Sequence, residues 1–463
     1  MASVITAPTY DPVTTATALA EKYVAARRDQ LSSQTLQANA TARALTELGS
    51  TISAFQASLA ALTGTGKTLY AQSAKFSDTA IGTGSASADA PAGAYAFFVK
   101  QLATASQVSF AGLTGDTGVG GELAVRMGGA EAFKIDLAKA DSDGDGTLST
   151  RELAAAINAA PANKGKLTAS VIITGTTSEL VLSSKETGAN TAITLDTTGV
   201  TGPSSLTTAN APGAMRTLTL AQNAIVHVGA ESGTPIEQAS NTFTNIDGVT
   251  MTFVKAQAAG AAPVTLTVGA DLATATGNVQ AFVTAYNALK TSLAKLVSPG
   301  DPNTGVAAGT FSSDGGVRAL HDRLVSILRP AGSASLASFG IIATRDGTLE
   351  LRADRLTAQL ALTPNALDAL VGSTSTADPS GIANELDKYL QSWNDASSGQ
   401  IGKRKSATQE LQSTLTEREA LIDEQYNNAY QRYLAQFTQL QTMQAVMNNN
   451  VSLFDALFGN DSD

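Results

Sequence analysis

Apolar positions follow a helical period at the two ends of the chain and a strand period in its middle. Over 13–62 the pattern is helical, with no proline after Pro12. Leu45, Leu48, Ile52, Phe55, Leu59 and Leu62 alternate spacings of three and four, a heptad seam that buries one face against a partner helix. The far end repeats the signal over a longer span. Leu411, Leu415, Ile422, Tyr426, Ala429, Tyr433, Leu440, Met447, Val451 and Phe454 lie close to a repeat of about 3.5 residues, and neither proline nor glycine interrupts 403–458. A helix that long cannot bury its stripe within itself. The N-terminal heptads are the expected partner within the chain, and neighbouring copies the expected partners beyond it.

Between the ends, 68–271 reads as β-rich. Alternating runs such as Tyr95–Phe97–Val99 and Val249–Met251–Phe253, and the β-branched run Val171–Ile172–Ile173, are separated by Gly, Thr, Asn and Asp turn clusters. One short helix over 151–159 interrupts this region. Helical pattern returns over 278–297, with Val279, Phe282, Val283, Tyr286, Leu289 and Leu293 on one face, and again over 317–328. A hairpin is expected for 341–344 and 349–351 around Arg345-Asp346-Gly347, because Asp-Gly supplies a positive-φ turn. The fold class is α+β and multidomain. Terminal helices over 1–66 and 403–463 form a coiled coil, and a mixed helical and hairpin domain spans 273–402. A β-rich domain takes 67–130 with 222–272, and a second β-rich domain is inserted over 131–221.

Composition narrows the function. The chain has 463 residues, 15% charged, 5% aromatic, with no cysteine and only two histidines. Charged content is well below the roughly 25% of an average domain. Zero cysteines remove disulfides, thiolate zinc sites, iron–sulfur clusters and cysteine nucleophiles together. With His227 and His321 alone, multi-histidine metal centres are nearly excluded too. A net charge of −10 argues against a nucleic-acid partner, which would need a basic stripe. No stretch of about 18 uninterrupted apolar residues calls for membrane insertion. The opening MASVITAPTYDP has neither a basic nor an apolar region of the kind a cleaved secretory signal carries. These absences point away from an enzyme.

One segment carries metal chemistry. Asp141, Asp143 and Asp145 stand at the first, third and fifth positions of a calcium loop, with Gly146 at the turn. Thr147 supplies a carbonyl at the seventh position, Ser149 an oxygen at the ninth, and Glu152 a bidentate carboxylate at the twelfth. Calcium needs six to eight oxygens, so one Ca2+ ion is expected here. The bland alternative is an acidic, solvated turn that starts the following helix, with Ser149 or Thr150 as its N-cap. Phe133, Ile135 and Leu137 alternate upstream, which gives a strand instead of the entering helix of a paired hand, and no second loop is present. The segment Thr63-Gly-Thr-Gly66-Lys67-Thr68 looks like the tail of a phosphate-binding loop. Ala61 replaces the required first glycine, and the segment follows a helix instead of a strand. A glycine-rich helix stop is the better reading. Neither histidine lies in a nucleophile motif.

The ordered series of segments resembles the flagellar filament-capping family, also called hook-associated protein 2. The N-terminal heptads with "GAYAFFVKQLATASQ" are similar to that family's first region, and "LAAAINAAPANKGKLTASVIITGTTSELVLSSKETG" to the flagellin and hook insertion motif. "AQNAIVHV", "NTFTNIDGVTMTFVKA", "VQAFVTAYNALKTSL", "SFGIIATRDGTLEL" and "TPNALDALVG" follow the family's C-terminal pattern. Members often open with a Gly-Leu-Gly-Ser-Gly-Leu-type segment, whereas this chain has Ala7-Pro8-Thr9-Tyr10-Asp11-Pro12. The resemblance implies a ring-shaped homo-oligomer, a pentamer in the commonest case, at the growing tip of a bacterial flagellar filament. It implies flagellin as a partner that folds and inserts beneath the cap, an export chaperone before secretion, and passage outside the cell without a cleaved signal. Terminal helices would act as legs into the filament end. Leu45, Leu48, Ile52, Phe55, Tyr426, Tyr433, Met447, Val451, Phe454 and Phe458 are the candidate contacts with filament or neighbouring copies. Asn448-Asn449-Asn450 is expected to loosen the last turns. A hook–filament junction protein, a flagellin-like protein and a secreted calcium-binding adhesin are the alternatives.

Overall fold

The computed structural model describes residues 11–175, 177–329 and 335–458. Two compact units emerge, one from the chain up to residue 69 and from 276 onward, the other from residues 70–275. The α-helices among the described residues are α1 (Pro12–Thr63), α2 (Thr150–Ala159), α3 (Leu272–Val297), α4 (Gly315–Ile327), α5 (Ala353–Leu362), α6 (Ala366–Val371), α7 (Gly381–Asn394) and α8 (Gln400–Phe458). None of the described helices is long and apolar enough to cross a membrane.

In the terminal unit, α1 starts where the Asp11 carboxylate accepts from the Thr14 N–H at 2.9 Å and Pro12 pre-sets the first turn. It stops at Gly64, whose N–H returns to the Ala60 carbonyl. The helix has two partners. Its first half pairs antiparallel with α8, burying Val24, Leu31 and Ala38 against Leu415 and Ile422. Cross-links fix that register: Arg28 Nη2 to Asp423 Oδ1 at 2.7 Å, Arg27 Nη1 to Gln425 Oε1 at 2.7 Å, and Gln412 Nε2 to Asn39 Oδ1 at 2.7 Å. Its second half packs on α3 and α7. Phe55 meets Tyr286 edge to face at 6.4 Å, Thr51 reaches Ser292 at 3.3 Å, and Gln56 donates to Asp387 at 2.8 Å.

This division corrects two expectations. The seam from Leu45 to Leu59 is shared: the start of α8 reaches it at Ile401 beside Gly49, and α3 and α7 cover its far end, leaving Leu45, Leu48, Ile52 and Phe55 no more than 2% exposed. The mixed region over 273–402 is also not a domain apart from the terminal helices, since α1 supplies part of its core. Heptad spacing marks a face to be buried, and it does not name the helix that covers it. The hairpin forms as expected between Ile341–Ala343 and Leu349–Leu351, with Gly347 at φ +81°. Asn287 on α3 clamps it, donating to the Leu349 carbonyl at 2.8 Å and accepting from the Leu349 N–H at 2.7 Å.

The middle unit holds two β cores. In the first, a five-stranded sheet runs in the order Gln72–Phe76, Val264–Ala270, Gly93–Gln101, Ala224–Val228, Thr234–Gln238. A three-stranded sheet of Thr242–Ile246, Val249–Phe253 and Gly82–Ala86 faces the same core. Phe253 sits among Phe76, Phe97 and Phe243 at ring distances of 5.4, 6.0 and 5.3 Å. The second core collects Val108, Phe110, Leu123, Val125, Leu153, Ile157, Leu180 and Leu182 from strands over 105–219 and from α2. The chain leaves the first core and returns to it at one place, where Thr104 N–H donates to the Gln222 carbonyl at 3.0 Å. The insertion therefore begins at residue 105 and not at 131. Strands over 105–127 alternate like those before them, and a period of two cannot say which sheet a strand joins.

Candidate functional site

The candidate residues gather at two places in the fold, an acidic loop in the middle unit and the two-helix arm of the terminal unit. The loop lies between the strand Ala130–Asp136, a short 3₁₀ turn over Leu137–Lys139, and α2. Asp141, Asp143 and Asp145 each present a carboxylate oxygen within 4.8 Å of the others. Asp141 accepts from the N–H groups of Gly144 (2.8 Å) and Gly146 (2.9 Å), and Gly146 takes the φ of +80° that this turn requires. Asp145 accepts from Thr147 N–H at 2.7 Å.

Glu152 closes the loop from the twelfth position. Its Oε1 accepts from Ser142 N–H at 2.8 Å and from Asp143 N–H at 3.3 Å, while Oε2 accepts from Ser149 N–H at 3.0 Å and Ser149 Oγ at 2.8 Å. Ser149 is the N-cap of α2, and with Glu152 it makes a reciprocal capping box. Glu152 is 8% exposed, and the hydrogen bonds from Ser149, then Ser142 and Asp143, hold its carboxyl down to about 2. The three aspartates are thus gathered, and Glu152 is committed to the loop backbone and the helix cap. The donor set is all oxygen, which suits a hard divalent cation.

The arm is where α1 and α8 run side by side. Arg27 meets Gln425 at 2.7 Å, and antiparallel helices of equal rise then bring Pro12 level with about residue 440. From there to its end α8 runs past the described start of α1 for roughly 18 residues, about 27 Å. Met447 is 62%, Val451 48% and Phe454 68% exposed, with Leu453 and Leu457 beside them. No charged residue occurs from Tyr433 to Phe454. Tyr426 and Tyr433 are half-buried within the arm, and the side chain of Phe458 lies outside the described residues, as do Ala7 to Tyr10. The helix continues unbroken through Asn448, Asn449 and Asn450, so the expected loosening there does not occur. Intrinsic helix preference of asparagine is only a weak prior, and the flanking turns carry it.

The remaining candidates have structural explanations. Thr63 ends α1 and Gly64 caps it, so the phosphate-loop-like segment is a helix stop. His321 on α4 contacts Asp322 at 2.9 Å, and His227 stands in the strand Ala224–Val228 against Phe98 at 6.4 Å. Sequence reading missed Lys290, 2% exposed on α3, whose Nζ donates to the His321 carbonyl at 2.7 Å. Burial lowers its pKa, against the pull of Asp322 and Asp346. The signal was available, since residue 290 falls on the apolar face marked by Tyr286 and Leu293.

Comparison with known proteins decides the class. Residues 10–106 match the family described as Flagellar hook-associated protein 2 N-terminus, and residues 221–449 match its C-terminus. The chain belongs to the hook-associated protein 2 family, the flagellar filament cap proteins. The lateral flagellar hook-associated protein 2 of Vibrio parahaemolyticus is 30% identical over 381 residues, 80% of this chain and 83% of the relative. The B-type flagellar hook-associated protein 2 of Pseudomonas aeruginosa is 31% identical over 448 residues, 91% of this chain and 90% of the relative. The crystal structure of the flagellar cap protein FliD D1-D2-D3 domains from Escherichia coli superimposes with a TM-score of 0.63 at 27% identity, covering 80% of this chain and 99% of that one. As a cap protein the chain acts at the flagellar filament tip. Nothing in these likenesses favours a junction protein, a flagellin or an adhesin. The family matches stop at 106 and resume at 221, so the second β core, with its acidic loop, lies outside both.

Proposed function

We propose that this cap protein works as a ring of copies, a pentamer in the form its resemblance implies, holding flagellin at the filament end while each subunit folds and inserts. The role is structural and has no covalent step. The chain is exported outside the cell without a cleaved signal, after an export chaperone has held it in the cytoplasm. The observation that carries this reading is the end of α8. It runs past its partner helix, exposes apolar side chains, and bears no charge between Tyr433 and Phe454 that would have to be desolvated on docking, Asp455 being the one acidic residue of its last turn. Truncation after Met447 tests it: the shortened chain should be secreted and melt like the full one, yet leave cells non-motile and leaking flagellin. Normal motility with that truncation would contradict the docking role.

The reading includes one calcium ion in the acidic loop. The support is the match of oxygen donors at each ligand position, from Asp141, Asp143 and Asp145 to Thr147, Ser149 and Glu152, together with the 4.8 Å gathering of the three aspartates. Bound calcium would stiffen the second β core. Titration of the full chain with calcium chloride should give binding heat that Asp141→Asn abolishes, and chelator should lower the melting temperature. Absence of both would remove the ion from the reading.

A further inference from the structure

The arm has two long flanks, and they differ in charge. Leu31 and Ile422 form the floor of a groove on each side of the helix pair. One groove is walled by Arg27, Arg418 and Leu421 with glutamines, and contains no acidic residue. Arg27 continues that side through the Tyr23 ring, 5.2 Å away, to Arg432. The opposite groove is walled by Arg28, Leu36, Glu419 and Asp423. There Arg28 is taken up by Asp423 at 2.7 Å, which leaves the carboxylate of Glu419 to set the sign. Each groove carries an exposed leucine, Leu421 at 56% and Leu36 at 65%.

A basic flank with an apolar knob and an acidic flank with an apolar knob, on opposite sides of one rod, are complementary to each other. We infer that the arms of neighbouring copies pack side by side, the Arg27–Arg418–Leu421 groove of one copy against the Leu36–Glu419 groove of the next. The occupant is a second copy of this chain because the chain itself supplies both halves. Contact between unlike surfaces leaves one groove open on each partner, so it propagates and closes into a ring when the rotation allows. A flank that met its own kind would set arginine against arginine. This inference rests on the ring reading above and names the surface through which arms meet.

The cysteine-free chain allows a direct test. Full-length Leu36→Cys and Leu421→Cys variants are mixed under mild oxidation, at a concentration where sedimentation shows association. Both positions are exposed, so neither change should disturb folding, which melting curves check. Dimers joining the two different variants should exceed like-with-like dimers several-fold. Arg418→Glu should lower that yield several-fold, and adding Glu419→Arg to the same chain should restore it. Random proportions, or no cross-link while sedimentation still shows rings, would overturn the arm contact and leave the ring standing. Absence of any association would overturn both. A photo-crosslinker attached through Leu421→Cys that captures flagellin and no second copy would also overturn the contact.

Discussion

Arg404 Nη1 lies 2.5 Å from Asp314 Oδ2, and the same aspartate caps α4 by accepting from the Val317 N–H at 3.0 Å. The Arg404 guanidinium also stands 5.4 Å over the ring of Trp393, the chain's one tryptophan. One side chain therefore ties the start of α4 to α8, with a fluorophore beside it. Asp314→Ala removes a cap and one half of a partly exposed ion pair, so it should cost about 1–2 kcal/mol and shift the tryptophan emission. Burial tends to raise the Asp314 pKa, but the hydrogen bonds from Arg404 and Val317 outweigh it and the net shift is downward. A depressed carboxylate contributes stability above its unfolded pKa near 3.9 and loses it as pH falls through the folded value. Melts followed by tryptophan emission from pH 7 to about 2.5 should show this loss in the parent and a flatter profile in Asp314→Asn.

Tyr286 is fully buried on α3, and its hydroxyl has no hydrogen-bond partner among the described residues. Burial raises its pKa, so the phenol stays neutral. Tyr286→Phe keeps the ring against Phe55 and removes a buried polar group without a partner. It should leave stability unchanged or raise it by up to about 1 kcal/mol. Tyr286→Ala should cost about 3–5 kcal/mol by opening a cavity. Urea unfolding of the two variants separates these outcomes.

Leucines that look alike along the helices should behave differently. Leu48 is 1% exposed and Leu421 56%. Leu48→Ala should cost about 2–5 kcal/mol, and Leu421→Ala should stay within about 0.5 kcal/mol of the parent. Denaturation midpoints at fixed protein concentration would show it.

Glu152 predicts an acid-sensitive second core. Its carboxyl, held down to about 2 by the Ser149, Ser142 and Asp143 hydrogen bonds, contributes stability above its unfolded pKa of about 4.3 that drains away as pH falls towards 2. Glu152→Gln keeps the volume, weakens the capping box and should flatten the acid limb. Hydrogen exchange over 141–159 at pH 7 and pH 3 would reveal whether the opening is local to the loop and α2.

The sequence reading went furthest where period and punctuation agreed. Both long helices, the Asp346-Gly347 hairpin, the strand before the acidic loop and the helix after it were all legible, because each is set by local spacing or by one turn residue. What failed was pairing. The Leu45–Phe55 seam was readable as buried, but whether α8 or α3 covers it depends on residues hundreds of positions away. The start of the insertion at residue 105 was hidden for the same reason, since Val108 and Phe110 alternate just as Phe97 and Val99 do. At the arm, the heptad pattern continues in Met447 and Val451, and only the position of Pro12 tells that the partner helix has ended. The two grooves were invisible because Arg27 and Arg28 are neighbours in sequence and stand on opposite flanks.

The pairing of the chain's first helix with its last also sets a clock. Arg27 and Gln425 are 398 positions apart, so the first half of α1 has no surface to bury against until nearly the whole chain is present. Closing so long a span is entropically costly and slow compared with forming a hairpin or a local helix. A chain that arrives through a narrow conduit from either end can therefore complete its β cores while the arm is still open. Maturation of the rod becomes a signal that α8 has come through as far as its pairing with α1, and a truncation that removes Gln412 to Gln425 would leave that signal unsent.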